Sequence, residues 1–135
     1  MTTVLFACVH NAGRSQIAAA FFNALADPAL AGAISAGTEP LSQVHPEVVD
    51  SMREAGIDLG GMTPTRLTDD VAAAAHLLVT MGCGERCPVV PGARRLDWSV
   101  ADPKGQPPAR VRAIRDEIEA RVRALVAAEG WQRPD

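Results

Sequence analysis

Cys8 and Arg14 bracket five residues in the stretch "ACVHNAGRSQ", residues 7–16. A loop of that length entering a helix can turn the backbone N–H groups of Val9, His10, Asn11, Ala12 and Gly13 toward a bound anion, with the positive end of the helix behind them. Arg14 adds a planar fork that grips two oxygens of a tetrahedral oxyanion. The same positive surroundings favour a thiolate at Cys8, and Ser15 can donate a hydrogen bond to it. Gly13 suits a loop position with positive φ, and Asn11 is expected to hold the loop through its own side chain. The chemistry implied is nucleophilic attack by sulfur on a captured oxyanion. The competing reading, an inert buried cysteine and a surface arginine, accounts for neither the glycine nor the helix start between them.

A second group of thiols, Cys83 and Cys87, lies in "TMGCGERCP", residues 80–88. Gly82 and Gly84 flank Cys83 and would let that segment travel. Two incidental thiols, or half of a zinc site, are the alternatives. A structural zinc site normally takes four ligands, and only His76 is near in sequence, so no metal site is expected. Asp102-Pro103 reads either as a turn or as a carboxyl group available for proton transfer. His10 either tunes the thiolate or exposes its ring, His45, before Pro46 at a helix start, is expected to cap that helix, and His76 is a packing residue.

These groups need a frame. "TVLFA" (3–7) is a continuous apolar run of the kind found in buried parallel strands, and "RSQIAAAFFNALA" predicts a helix over about residues 15–26. A second strand is expected at 33–38, then a helix with Pro46 in its first turn and Gly56 as C-cap. Thr68 is placed to cap a brief helix, "HLLVTM" reads as strand three and "RRLDW" as strand four, with Trp98 packing. Val111, Ile114, Ile118, Val122 and Leu125 recur at spacings of three and four, which predicts a long closing helix with Arg115, Glu119 and Arg123 on its solvated face. Alternating strands and helices imply an α/β fold: a four-stranded parallel sheet with helices on both faces. In such sheets ligands sit beyond the carboxyl ends of the strands, so Cys8, the 83–87 segment and Asp102 should meet at one edge.

The chain has 135 residues, 47% hydrophobic, which suits one domain spanning residues 1–135. A net charge of -3 with dispersed basic residues argues against nucleic acid. The start of the chain has no basic region before its apolar run, and His10 and Asn11 break that run. This predicts a cytoplasmic protein with no membrane segment. In a reducing compartment, three cysteines favour catalytic, redox or metal duty over a structural disulfide.

The stretch "VLFACVHNAGRSQIAAAF" resembles the phosphate-binding loop of the low-molecular-weight protein tyrosine phosphatase superfamily, with Cys8, Asn11, Arg14 and Ser15 at matching positions. Asp102-Pro103 falls where that superfamily keeps its general acid, so the resemblance spans essentially the whole chain and implies a low-molecular-weight phosphatase-like fold. The superfamily contains phosphatases and arsenate reductases. "TMGCGERCP", and Gln16 where phosphatases typically carry proline, resemble the thioredoxin-coupled arsenate reductases. That resemblance implies arsenate reduction for arsenic detoxification. Cys8 would attack arsenic, Cys83 would attack Cys8 as arsenite leaves, and Cys87 would attack Cys83, with Asp102 as acid. It implies no tightly bound cofactor, arsenate as substrate with phosphate or sulfate competing, and thioredoxin or a similar thiol reductant as partner.

Two features depart from that class. The loop cysteines are closer together than in its better-known members, and Ala19 stands where relatives that bind potassium carry a glutamate. The alternative, a phosphatase working through a phosphocysteine, is expected to place aromatic residues just after Asp-Pro; this chain continues "DPKGQPP" and has no tyrosine. A non-enzymatic oxyanion- or metal-responsive binding protein is the third reading.

Overall fold

From Val4 to Cys8 every residue of β1 (Thr2–Cys8) is buried, as a central strand covered on both faces requires. The structure is a computed structural model describing residues 1–82 and 92–134. In it β1 pairs in parallel with β2 (Ala31–Gly37) on one side and β3 (Leu77–Thr80) on the other. β3 in turn pairs in parallel with β4 (Arg94–Asp97), so the order is β2-β1-β3-β4. This is the four-stranded parallel sheet expected from the sequence.

Successive side chains of β1 enter two different cores, the consequence of a period of two. Val4, Phe6 and Cys8 pack with α1 (Arg14–Leu25), α2 (Pro46–Glu54) and α4 (Pro108–Glu129), through residues such as Ile17, Phe22, Met52 and Ile118. Leu5 and Ala7 pack on the other face with Leu78 and Ala75, beside Val71 of α3 (Asp69–Ala73). Helices therefore cover both faces. Phe6 anchors the larger core, its ring 5.9 Å from Phe22 and 5.7 Å from Trp98, the range in which aromatic edges and faces attract.

β4 is the exposed edge and carries Arg94 and Arg95, charges that discourage further strand pairing. Thr80 Oγ1 donates to Asp97 Oδ1 at the last β3–β4 pair. That bond, with a second from Arg95, holds the Asp97 carboxyl below the usual carboxylate range.

Four local readings change. The C-cap of α2 is Ala55, with Gly56 following it at φ +86. His45 occupies the N-cap position of α2 but its side chain makes no capping bond. His76 does more than pack: its Nδ1 accepts the Thr3 N–H at 2.9 Å. Arg115 is not part of a solvated face. It is mostly buried where α4 meets α2, donates to the Ser51 carbonyl at 2.8 Å and lies 3.6 Å from Glu54. Thr68 does cap α3, its Oγ1 accepting the Val71 N–H at 3.2 Å. The five spaced apolar residues of α4 are all buried.

Candidate active site

The register of the sheet brings the carboxyl ends of its four strands to one edge. Cys8 is paired with Gly37, Ala7 with Thr80 and Thr80 with Asp97. The four strands therefore end side by side at Cys8, Gly37, Thr80 and Asp97, the position where parallel sheets bind ligands.

The loop between β1 and α1 is shaped from outside by hydrogen bonds to its carbonyls. Thr38 N–H donates to Cys8 O at 3.3 Å, Glu39 N–H to Val9 O at 2.8 Å, Leu41 N–H to His10 O at 3.1 Å, and His45 N–H to Ala12 O at 2.9 Å. Gln16 Nε2 reaches Asn11 O at 3.2 Å. Across a trans peptide the N–H points opposite to the C=O, so the next residues' N–H groups turn toward the loop's interior. Asn11 N–H donates to Cys8 Sγ at 3.3 Å, as that geometry demands. A concave set of amides with a sulfur at its base is an anion-binding nest.

Gly37 lets this loop press against the end of β2. A Cβ there would lie 2.6 Å from the Val9 carbonyl oxygen and 2.8 Å from the Asn11 nitrogen, both backbone atoms. Gly37→Ala is therefore expected to displace the loop and lower kcat/KM for the loop's oxyanion substrate by about a hundredfold or more. Steady-state kinetics beside a thermal melt check this, and unchanged kinetics would show that the loop tolerates the shift.

A buried polar chain orients the sulfur's other donor. Thr65 N–H donates to Asn11 Oδ1 at 2.8 Å; a backbone N–H can only donate, so the amide's oxygen faces Thr65 and its nitrogen faces Ser15. Asn11 Nδ2 accordingly donates to Ser15 Oγ at 2.7 Å. Ser15 Oγ lies 2.9 Å from Cys8 Sγ; when Cys8 is a thiolate, which can only accept, the Ser15 hydroxyl donates to it. Gln16 Nε2 adds a second bond to Asn11 Oδ1 at 3.2 Å. Asn11, Ser15, Gln16 and Cys8 are each at most 3% exposed, so water cannot substitute for these bonds.

The positive φ of the loop falls on Asn11, at +50, and not on Gly13, whose φ is -144. Asparagine tolerates the left-handed region, and its bonds to Thr65, Ser15 and Gln16 hold it there. Gly13 is small because Pro103 Cγ would sit 3.1 Å from a Cβ at that position. His10 is tied to the loop's outer belt, its Nδ1 donating to Glu39 O at 3.0 Å.

Arg14 begins α1 and reaches across the edge to the β4–α4 connection. Its Nη1 donates to Val100 O at 3.1 Å, and its Nη2 is 3.8 Å from Asp102 Oδ2. The Asp102 side chain is 44% exposed, open to a ligand, while its Oδ1 accepts the Lys104 N–H at 3.0 Å. The structure thus brings Cys8, Arg14, Ser15 and Asp102 to one edge together with Val9, His10, Asn11, Ala12 and Gly13. Cys83 and Cys87 lie outside the described residues. Among the described residues, no group of three or more His, Cys, Asp or Glu side chains is placed to hold a metal ion, and no helix is long and apolar enough to cross a membrane.

Sequence reasoning assigned no role to Gln16, Thr65, Gly37 or Val100. Only Gln16, directly after Arg14-Ser15, carried a signal. Thr65 acts through a backbone N–H that any residue but proline would supply, and Val100 through a carbonyl that every residue carries.

A family model described as low molecular weight phosphotyrosine protein phosphatase matches residues 3–132. The chain belongs to this family. Within the low molecular weight phosphatase family it is 39% identical over 123 residues to a putative arsenate reductase of Halobacterium salinarum, covering 87% of this chain and 85% of that protein. It is 33% identical over 130 residues to a glutaredoxin arsenate reductase of Synechocystis sp., covering 94% and 98%. Among solved structures it superimposes on the thioredoxin-dependent arsenate reductase of Corynebacterium glutamicum with a TM-score of 0.81 and 41% identity over 95% of this chain. The chain spans 61% of that protein's length. The low molecular weight phosphatase-like fold expected from the sequence is the fold observed.

Proposed function

We propose that this protein is an arsenate reductase that converts arsenate to arsenite with electrons from its own thiols. The observation that carries the reading is the Cys8 sulfur, buried beneath an oxyanion loop and receiving the Asn11 N–H, in a chain that supplies two further cysteines. Relatives named as arsenate reductases at 39% and 41% identity support it.

Arsenate is a tetrahedral oxyanion, held by the loop amides from Val9 to Ser15 and by the Arg14 fork. Cys8 thiolate forms a bond to arsenic while one oxygen leaves, protonated by Asp102. Cys83 then attacks Cys8 Sγ. The electron pair of the sulfur–arsenic bond passes to arsenic, which departs as arsenite, and a Cys8–Cys83 disulfide remains. Cys87 attacks Cys83, freeing Cys8 and leaving a Cys83–Cys87 disulfide. Two thiols have lost one electron each, and arsenic has gained two. An external dithiol of the thioredoxin or glutaredoxin type reduces that disulfide by exchange and closes the cycle. Such a cycle fits the cytoplasm, where thiols are kept reduced, and it makes the protein a component of arsenic detoxification.

Phosphate and sulfate have the same shape as arsenate and compete for the loop. Hydrolysis of aryl phosphates is disfavoured, because Lys104 and Gly105 follow Asp102-Pro103 where an aromatic slot would be needed. Steady arsenite formation from arsenate, with a thioredoxin system oxidising its own cofactor in step, is the expected result. Rapid, thiol-independent hydrolysis of a phosphate ester without arsenite formation would overturn the assignment in favour of a phosphatase.

A further inference from the structure

The guanidinium of Arg14 is confined between two segments. On one side lie Val100 O and Asp102, at 3.1 and 3.8 Å. On the other lies Gly82, where the chain turns after β3 with φ +99. A Cβ at Gly82 would fall 2.5 Å from Arg14 Nη1, 3.0 Å from Cζ and 3.2 Å from Nη2. The flat face of the fork therefore rests on the space a side chain would occupy.

We propose that Gly82 is a positioning residue for the oxyanion site, its missing side chain setting where the Arg14 fork stands. The proposal deepens the oxyanion-binding part of the reading above and rests on it. Gly37 and Gly82 differ in what a methyl group would strike. At Gly37 it meets backbone, so the loop itself must move. At Gly82 it meets the far end of a flexible side chain, so the fold can stay while the fork is pushed aside. The displaced guanidinium loses its bond to Val100 O and its alignment with two anion oxygens, and bidentate alignment is what an arginine contributes over a point charge.

The test uses inorganic phosphate as the probe, titrated calorimetrically into the reduced full-length protein. Gly82→Ala is expected to weaken phosphate binding by about 10- to 100-fold, the span of one to two charged hydrogen bonds. KM for arsenate should rise by a similar factor, while kcat changes by less than about threefold, because the fork's loss is felt mainly in anion binding. Gly82→Asn carries the same Cβ but tolerates positive φ better, so it should show the same loss even if Gly82→Ala folds poorly. In an Arg14→Lys background, which has no fork to displace, Gly82→Ala should cost less than about threefold. Unchanged phosphate affinity in either Gly82 variant, or an equal loss in both backgrounds, would overturn the proposal alone. Wild-type protein with no affinity for phosphate would overturn the oxyanion site and the proposal together.

Discussion

Cys8→Ser protein should form no arsenite while still binding phosphate. The exchange replaces one sulfur by oxygen at a site only 3% exposed, so packing in the larger core changes little. The amides that turn inward between residues 8 and 14 are fixed by carbonyl bonds to residues 38–45, none of which involves the thiol. The anion cradle therefore survives. What disappears is the nucleophile, since a serine hydroxyl in this setting has no base among its partners: Ser15 Oγ is another hydroxyl, too weakly basic to take its proton, and Asn11 N–H can only donate. A loss of about 10⁴-fold or more in arsenite formation is expected, of the size seen when nucleophiles are removed from other enzymes. Calorimetric phosphate binding and arsenite assays on the same preparation separate the two functions. Arsenite formation retained in Cys8→Ser would place the chemistry at another thiol.

The second large effect is a stall. Cys87→Ser protein should release about one equivalent of arsenite per chain and then stop, even with thioredoxin and its reductase present. The first two steps need only Cys8 and Cys83, which supply both electrons for one reduction. The third step needs Cys87, because nothing else in the proposed sequence returns Cys8 to the thiol form from a disulfide at the base of a buried loop. A sulfur on a residue only 3% exposed is poorly placed for direct attack by a protein reductant. Arsenite counted against protein concentration checks the burst. Many thioredoxin-driven turnovers by Cys87→Ser would mean that the Cys8 disulfide is reduced from outside.

The fold was legible wherever burial leaves a periodic trace. β1 is buried on both faces and reads as an unbroken apolar run; α4 is buried on one stripe and reads at spacings of three and four. The same logic placed Cys8 at a strand end and Arg14 at a helix start, and that was enough to infer the oxyanion loop. Arg115 eluded the pattern because a long side chain can bury its stem and still carry its charge to Ser51 and Glu54, contacts that depend on where α2 crosses α4.

The positive φ was assigned to Gly13, because glycine is the residue with the greatest freedom there. It fell on Asn11 because the Thr65 N–H, distant in sequence, holds the Asn11 side chain. Partners of that kind leave no local signature. The same is true of Val100 O and the 38–45 belt, whose contributions come entirely from backbone atoms. The identity of the nucleophile was local information; the orientation of the hydrogen bonds around it was not.

The most direct test of the three-sulfur relay is peptide-level mass spectrometry of wild-type protein, reduced, desalted, given one equivalent of arsenate without reductant and then alkylated. The expected outcome is one equivalent of arsenite, a Cys83–Cys87 disulfide and an alkylated Cys8. Arsenite release with both Cys83 and Cys87 fully alkylated, or no sulfur oxidation at all after exposure to arsenate, would contradict the relay.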